Sequence, residues 1–221
     1  MTAARRSATD QGRSGPRLYL VTPPLDAPGL IAQLTEALGA AEVAAVLARA
    51  PAAAGEARLT EQVRAIAAIV QNRGVALLIE GYPESVEPAG ADGAHVAGLA
   101  AFDTALPVLK PRYIVGCGGL GSRHDAMVAG ERGADYVMFG EPDPNGRRPA
   151  FAAVLDRVAW WAELFEIPCV GWAMNLDEVA ALAGVGADFV AVGDAVWTDT
   201  HGPGAAVTAA AARLNTSEPV R

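Results

Sequence analysis

A chain of 221 residues with 52% hydrophobic content is long enough to build one sizeable core, and its net charge of -8 argues against a nucleic-acid surface. No apolar run approaches the ~18 residues of a membrane span, and the N-terminus lacks the apolar segment of a secretory signal. The composition therefore predicts a single cytoplasmic domain that binds neither nucleic acid nor membrane. A small phosphorylated molecule remains a suitable partner, because one or two cations can hold a phosphate.

The two ends of the chain differ in composition from its middle. Residues 1–16 are polar, contain three arginines and have no hydrophobic period, so we expect a disordered N-terminal tail. Residues 215–221 are expected to form a polar C-terminal tail. Residues 17–214 remain for the folded domain.

Short apolar segments alternate with helical patterns throughout this central part. Strands are predicted at residues 17–22, 43–47, 75–79, 94–96, 113–116, 136–139, 169–171 and 189–192. Helices are predicted at residues 30–38, 59–70, 102–109, 122–132, 151–165, 176–183 and 203–214, with a short interrupted helix between residues 80 and 88. Eight strands alternating with eight helical segments indicate a single-domain (β/α)8 TIM barrel, and an open doubly wound sheet is the alternative.

A Gly-Ala-Asp motif begins at Gly90, Gly133 and Gly186, just before predicted strands four, six and eight. Repetition at every second unit suits a closed ring built from equivalent quarters, and this favours the barrel over the open sheet. Each glycine is expected to end a helix in the left-handed conformation, and the aspartate to turn the chain into the strand.

Residues that follow the predicted strands are the candidates for a functional site, because the carboxyl ends of barrel strands carry the chemistry in this fold. The candidates are Arg49, Glu80, His95, Gly118, Gly119, Arg147, Arg148, Gly171, Trp172, Gly193 and Asp194.

The cysteines, Cys117 and Cys169, are expected to be buried packing residues, since neither has the His or Cys spacing of a metal site.

Six segments carry a resemblance to a known family. They are RLYLVT (17–22), ADGAHV (91–96), IVGCGG (114–119), GADYVMFGEP (133–142), IPCVGWAM (167–174) and GADFVAVGDAVW (186–197). In this order and spacing they resemble the thiamine phosphate synthase and thiazole tautomerase superfamily over residues 17–197. The resemblance implies a (β/α)8 barrel. In the synthases, a thiazole phosphate displaces pyrophosphate from a hydroxymethylpyrimidine pyrophosphate, and Mg²⁺ holds the pyrophosphate.

The resemblance also suggests a role for each candidate. It implies pyrophosphate binding by Arg49, which lies one residue away from the family position. It implies the same role for Arg147 or Arg148, which replaces a family Thr-Lys pair. Glu80 occupies a position where the family binds magnesium, and His95 matches a family histidine. The remaining candidates lie at or beside positions that correspond to the family's functional segments after strands five, seven and eight: Gly118, Gly119, Gly171, Trp172, Gly193 and Asp194.

Many polar and metal-binding residues of the family are replaced in this sequence, so three hypotheses follow. The first is a transferase of the thiamine phosphate synthase type that uses Mg²⁺. The second is a diverged paralogue that keeps the barrel, binds a different small phosphorylated ligand and has neither the synthase activity nor the cofactor. A third, a tautomerase acting on the thiazole phosphate, lacks an obvious base. The sequence is also compatible with a homo-oligomer.

Overall fold

The computed structural model describes residues 15–51, 55–143 and 145–215. The predicted N-terminal tail therefore lies outside the described residues except for Gly15 and Pro16. Of the predicted C-terminal tail only Asn215 is described, and it is the last residue of the final helix rather than part of a tail.

Eight parallel strands form a closed ring. They are β1 Arg17–Pro24, β2 Val43–Arg49, β3 Ala76–Glu80, β4 Gly93–Ala97, β5 Ile114–Gly118, β6 Tyr136–Phe139, β7 Cys169–Ala173 and β8 Phe189–Val192. Each strand pairs with the next, and β8 closes the ring on β1 in a register that runs from Arg17 opposite Phe189 to Leu20 opposite Val192. The predicted (β/α)8 barrel is confirmed.

Helices follow the strands around the outside. They are α1 Leu30–Ala40, α2 Glu56–Gln71, α3 Val86–Ala89 after a 3-10 turn at Pro83–Ser85, α4 Leu99–Leu109, α5 Arg123–Glu131, α6 Phe151–Leu164, α7 Leu176–Gly184, α8 Asp194–Trp197 and α9 Pro203–Asn215. The sequence did not predict the one-turn helix α8, because four residues are too short to display a helical period. None of the described helices has the length and apolar character needed to cross a membrane.

Alternation along the strands separates two apolar layers. Side chains that point outward pack against the helices and form the larger core, as Leu20 and Val137 do. Side chains that point inward fill the barrel: Tyr19, Val21, Ala45, Leu47, Leu78, Tyr136, Met138, Val170, Trp172 and Ala191. The interior is therefore packed, and in this fold ligands bind at the carboxyl-terminal rim of the strands.

The Gly-Ala-Asp motifs have a common structural role. Gly90, Gly133 and Gly186 have φ values of 72°, 100° and 93°, as expected for glycines that end helices in the left-handed region. The aspartates do more than turn the chain, because each carboxylate accepts the N–H of a residue at or near the start of the preceding strand. The three bonds are Leu77 N–H to Asp92 (2.7 Å), Val115 N–H to Asp135 (2.7 Å) and Cys169 N–H to Asp188 (2.8 Å). The motif thus fastens strands in pairs at the amino-terminal end of the barrel.

Candidate functional site

Two adjoining clefts open at the carboxyl-terminal end of the barrel. The central cleft, of about 340 Å³, is lined by residues that include Arg49, Glu80, Trp172 and Asp194 from four different strand ends. The side cleft, of about 420 Å³, includes Gly119 and Arg147. Glu141, Pro142 and Asp143 line both clefts, so the loop after β6 forms the ridge between them.

Arg49 is the cation that lines the central cleft among the described residues. Its backbone N–H donates to the Thr22 hydroxyl (3.1 Å), which ties the end of β2 to β1. Its guanidinium lies 3.8 Å from Glu80 and 3.7 Å from Asp194. Burial raises the pKa of the Glu80 carboxyl, and the nearby guanidinium opposes part of that shift. Arg49 therefore lies between two carboxylates and balances part of their charge.

A chain of polar side chains runs through the barrel interior to the ridge. The Tyr19 and Tyr136 hydroxyls are 2.8 Å apart, and Tyr136 lies 2.9 Å from Nδ1 of His95. Nε2 of His95 lies 2.8 Å from Oε1 of Glu141, whose Oε2 accepts the Gly119 N–H at 2.8 Å. Because His95 is only 2% exposed, it acts within the protein rather than on a ligand directly.

Two glycines of β5 make room for this chain. A Cβ atom at Gly116 would collide with the Tyr136 ring, and one at Gly118 would collide with the Glu141 carboxylate. The two residues are two apart in a strand, so both face the same side of the sheet. Gly118 and Gly119, predicted as substrate-binding positions, thus lie against Glu141: one leaves it space and the other donates to it.

The loop after β6 holds its two arginines differently. Arg147 folds back on Asp143, with Nε at 3.1 Å and a terminal nitrogen at 2.9 Å from the carboxylate, yet its side chain is 78% exposed. Its backbone N–H and other donors hold the pKa of Asp143 below the usual value. Arg148 instead pairs with Glu178 of α7 at 2.6 Å, and both side chains are mostly buried. Arg147 lines the side cleft, whereas Arg148 links the loop to α7.

The remaining candidates lie at the ends of β7 and β8. Gly171 faces outward, since a Cβ atom there would meet the Leu182 side chain of α7 at 2.6 Å. Trp172 faces inward and lines the central cleft. Gly193 precedes α8 and would place a Cβ atom 3.4 Å from the Trp172 ring. Asp194 is the first residue of α8 and adds a carboxylate to the lining of the central cleft.

Trp172 and Trp197 both lie at or near strand ends, where an indole ring can stack on a ligand or cap the barrel. The Trp197 indole N–H donates to the Val21 carbonyl at 2.6 Å, which attaches α8 to β1. Trp197 is therefore a capping residue. Trp172 remains available to a ligand in the central cleft.

The described residues contain no group of three His, Cys, Asp or Glu side chains that could hold a metal ion. Mg²⁺ in proteins is often bound by one or two carboxylates together with substrate phosphates, rather than by a complete protein cage. Glu80 meets that smaller requirement because its carboxylate lines the central cleft.

Sequence reasoning missed several residues of the site, namely Tyr19, Tyr136 and the structural role of Glu141. The two tyrosines carry a signal, since each is a polar aromatic residue within an otherwise apolar strand. Glu141 carries a weaker one, because it follows a buried strand and a glycine in a loop that contains other acids. Nothing in the sequence indicates that it reaches His95.

Comparisons with known proteins agree with this architecture. A family model described as thiamine monophosphate synthase matches residues 18–196. A thiamine-phosphate synthase of Rhodospirillum centenum is 40% identical over 200 residues, covering 86% of this chain and 94% of that protein. Another from Hyphomonas neptunium is 37% identical and covers 91% of this chain and 95% of its own length.

Among solved structures, a thiamine phosphate pyrophosphorylase from Pyrococcus furiosus superposes with a TM-score of 0.73 at 20% identity, covering 90% of this chain and 95% of that one. At that identity the likeness concerns the fold. The family match and the two relatives extend over most of the chain and confirm the resemblance found in its segments. This chain belongs to the thiamine monophosphate synthase family.

Proposed function

We propose that this protein is a cytoplasmic thiamine phosphate synthase, which joins a hydroxymethylpyrimidine pyrophosphate to a thiazole phosphate and releases pyrophosphate. The observation that carries the proposal is the central cleft, where residues from five strand ends meet around Arg49 and Trp172. Such a reaction depends mainly on positioning two reactants and stabilising the charge of the leaving group. A rim with few acids or bases aimed at a reacting atom is compatible with that demand.

The charged groups of the rim suggest how each reactant is held. Arg49 and Arg147 are two guanidinium groups of the clefts that can turn toward a pyrophosphate, because neither is deeply buried. Glu80 is the residue that would hold Mg²⁺ at the central cleft. When bound there, Mg²⁺ would neutralise charge on the pyrophosphate oxygens. Asp194 needs this added positive charge nearby, since a carboxylate repels a phosphate.

One observation favours a second function. Among the described residues, four carboxylates line the central cleft, against one guanidinium, that of Arg49; they belong to Glu80, Glu141, Asp143 and Asp194. A cleft with this balance is less suited to two phosphorylated reactants than to one ligand of lower charge. The second candidate is therefore a diverged paralogue that binds another small ligand and performs no transfer.

Incubation of the purified protein with both substrates and Mg²⁺ tests the proposal, with thiamine phosphate and pyrophosphate measured as products. We expect product, and we expect Arg49→Ala to lower kcat/KM by about 10- to 100-fold, since it removes a charge-assisted contact to the leaving group. Arg112→Ala is the matched control. That exposed arginine pairs with Glu87 at the opposite end of the barrel, so its loss should leave turnover unchanged.

The outcome separates the two candidate functions. Product formation that depends on Arg49 supports the synthase. Binding of one substrate without product supports the diverged paralogue. Failure to bind either substrate, in a protein that remains folded, removes the synthase proposal.

A further inference from the structure

Glu141 lies at the end of the hydrogen-bond chain through the barrel interior, and the direction of that chain can be deduced. A carboxylate can only accept hydrogen bonds, so Nε2 of His95 donates its proton to Glu141. In the neutral imidazole Nδ1 is then an acceptor, and it receives the hydroxyl proton of Tyr136. Tyr136 in turn accepts the hydroxyl proton of Tyr19.

Burial raises the pKa of both tyrosine hydroxyls well above the usual value, so both keep their protons at neutral pH. His95 also stacks on the Tyr136 ring, with centroids 5.6 Å apart and an angle of 14° between the planes. The imidazole is thus fixed in orientation as well as in tautomer.

This arrangement leaves acceptor positions of Glu141 open toward the clefts. Each carboxylate oxygen can accept about two hydrogen bonds, and each receives one here, from His95 and from Gly119. No Arg or Lys side chain of the described residues pairs with Glu141. Its side chain is only 15% exposed, so water compensates it poorly. Glu141 thus lines both clefts with a carboxylate to which the described residues supply no donors beyond His95 and Gly119.

The chemistry of this carboxylate restricts what can meet it. A phosphate oxygen is repelled, so the phosphorylated part of a ligand must lie elsewhere in the rim. A planar group with N–H donors is attracted, because its hydrogens can point at fixed oxygens. Trp172 lines the same central cleft and is 9% exposed, so a small part of its aromatic ring can contact a flat ligand there.

We propose that Glu141 recognises the amino group of a heteroaromatic ring that packs against Trp172, and that His95 and Tyr136 position the carboxylate for this contact. The inference rests on the proposed function, whose pyrimidine substrate carries such an amino group. Glu141 is then the residue that selects the unphosphorylated end of that substrate. This role does not require Glu141 to exchange a proton with the ligand.

The test uses a pair of probes without phosphate, 4-amino-5-hydroxymethyl-2-methylpyrimidine and its analogue with oxygen in place of the amino group. Their affinities are measured by NMR titration. We expect the wild type to prefer the amino compound by about 10-fold or more, since a hydrogen bond to a charged group is lost in the analogue. Glu141→Gln should reduce the preference to about twofold or less.

Glu87→Gln is the matched control, because it makes the same change in an exposed carboxylate at the far end of the barrel. It should retain the full preference. Tyr136→Phe removes the donor to Nδ1 of His95 while keeping the ring. It should change the ¹⁵N shifts of His95 and also weaken the preference, whereas a purely structural role for this tyrosine would leave the preference at its wild-type value.

The inference is overturned if the wild type binds the two probes equally or not at all, or if folded Glu141→Gln keeps the wild-type preference. Should Glu141→Gln fail to fold, an undiminished preference in Tyr136→Phe overturns it. Loss of the proposed function has a different signature. In that case the amino preference persists in the wild type, but the two phosphorylated substrates yield no thiamine phosphate.

Discussion

Arg147 and Arg148 are adjacent in sequence, yet the structure predicts different consequences for their removal. Arg148→Ala leaves the mostly buried carboxylate of Glu178 without its cation, so we expect the free energy of unfolding to fall by about 2 kcal/mol. Arg147→Ala removes an exposed side chain and should change stability by less than about 0.5 kcal/mol. It should instead weaken pyrophosphate binding by about 10-fold.

Urea unfolding and calorimetric titration with pyrophosphate separate these effects. Arg147→Lys serves as a control, since it keeps the charge but not the planar donor pair, and should retain part of the affinity. A stable Arg148→Ala protein that has lost pyrophosphate binding would reverse the assignment and make Arg148 the ligand-binding residue.

At the scale of single residues, the sequence could locate candidate site residues but not the contacts that they make. Strand ends are readable from hydrophobic patterns, and Arg49, Glu80, Trp172 and Asp194 do line one cleft. Which arginine of the loop is held by α7 depends on the path of the chain after Gly140, whose φ of 92° no pattern reveals. The contact between His95 and Glu141 joins residues 46 positions apart and was equally invisible.

At the scale of elements, the Asp188 carboxylate is expected to stabilise β7 from the end opposite the clefts. Asp188→Ala leaves the Cys169 N–H without its partner, so the free energy of unfolding should fall by about 1–2 kcal/mol. Asp188→Asn keeps an acceptor oxygen and should recover about half of the loss. Thermal or urea unfolding measures both changes.

Ligand binding provides the control for this prediction. The central cleft lies at the carboxyl-terminal end of the strands, whereas Asp188 contacts the first residue of β7. Folded Asp188→Ala should therefore bind pyrophosphate as the wild type does. If binding is lost while stability is unchanged, the aspartate acts on the rim and not on the strand start.

The helices and strands were largely predictable, because the sequence signals for each one lie within its own segment. All eight predicted strands correspond to observed strands, since a strand covered on both faces needs a continuous apolar run. Helix α5 begins where Ser122 and Asp125 form a reciprocal capping box. Helix α8 was missed because its stability comes from α9 and from the bond between Trp197 and β1, which only the tertiary structure provides.

At the scale of the whole molecule, closure was inferred from a repeat rather than from any single segment. The Gly-Ala-Asp motif at every second unit suggested equivalent quarters, and the bonds of Asp92, Asp135 and Asp188 give that repeat a physical cause. A ring differs from an open sheet in having no edge strand, because β1 and β8 pair with each other. If one strand detaches, the hydrogen bonds to both of its neighbouring strands are therefore lost at once.

The buried cysteines make this cooperativity measurable. Cys117 of β5 and Cys169 of β7 are fully buried, and burial raises the pKa of each thiol to about 12. At about pH 8, where an ordinary thiol is partly ionised, both remain protonated in the folded protein and shielded from a thiol reagent. We expect neither to react under native conditions and both to become reactive together across the urea unfolding transition.

Mass spectrometry after brief exposure to the reagent gives the labelled fraction at each cysteine, and Thr104→Cys, at an exposed position of α4, provides a thiol that should react at once. Equal protection of Cys117 and Cys169 is the result required of a ring that opens as a unit, since no strand can leave without its neighbours. Labelling of Cys169 well before Cys117, with the rest of the protein folded, would mean that β7 opens independently and that closure does not couple the strands.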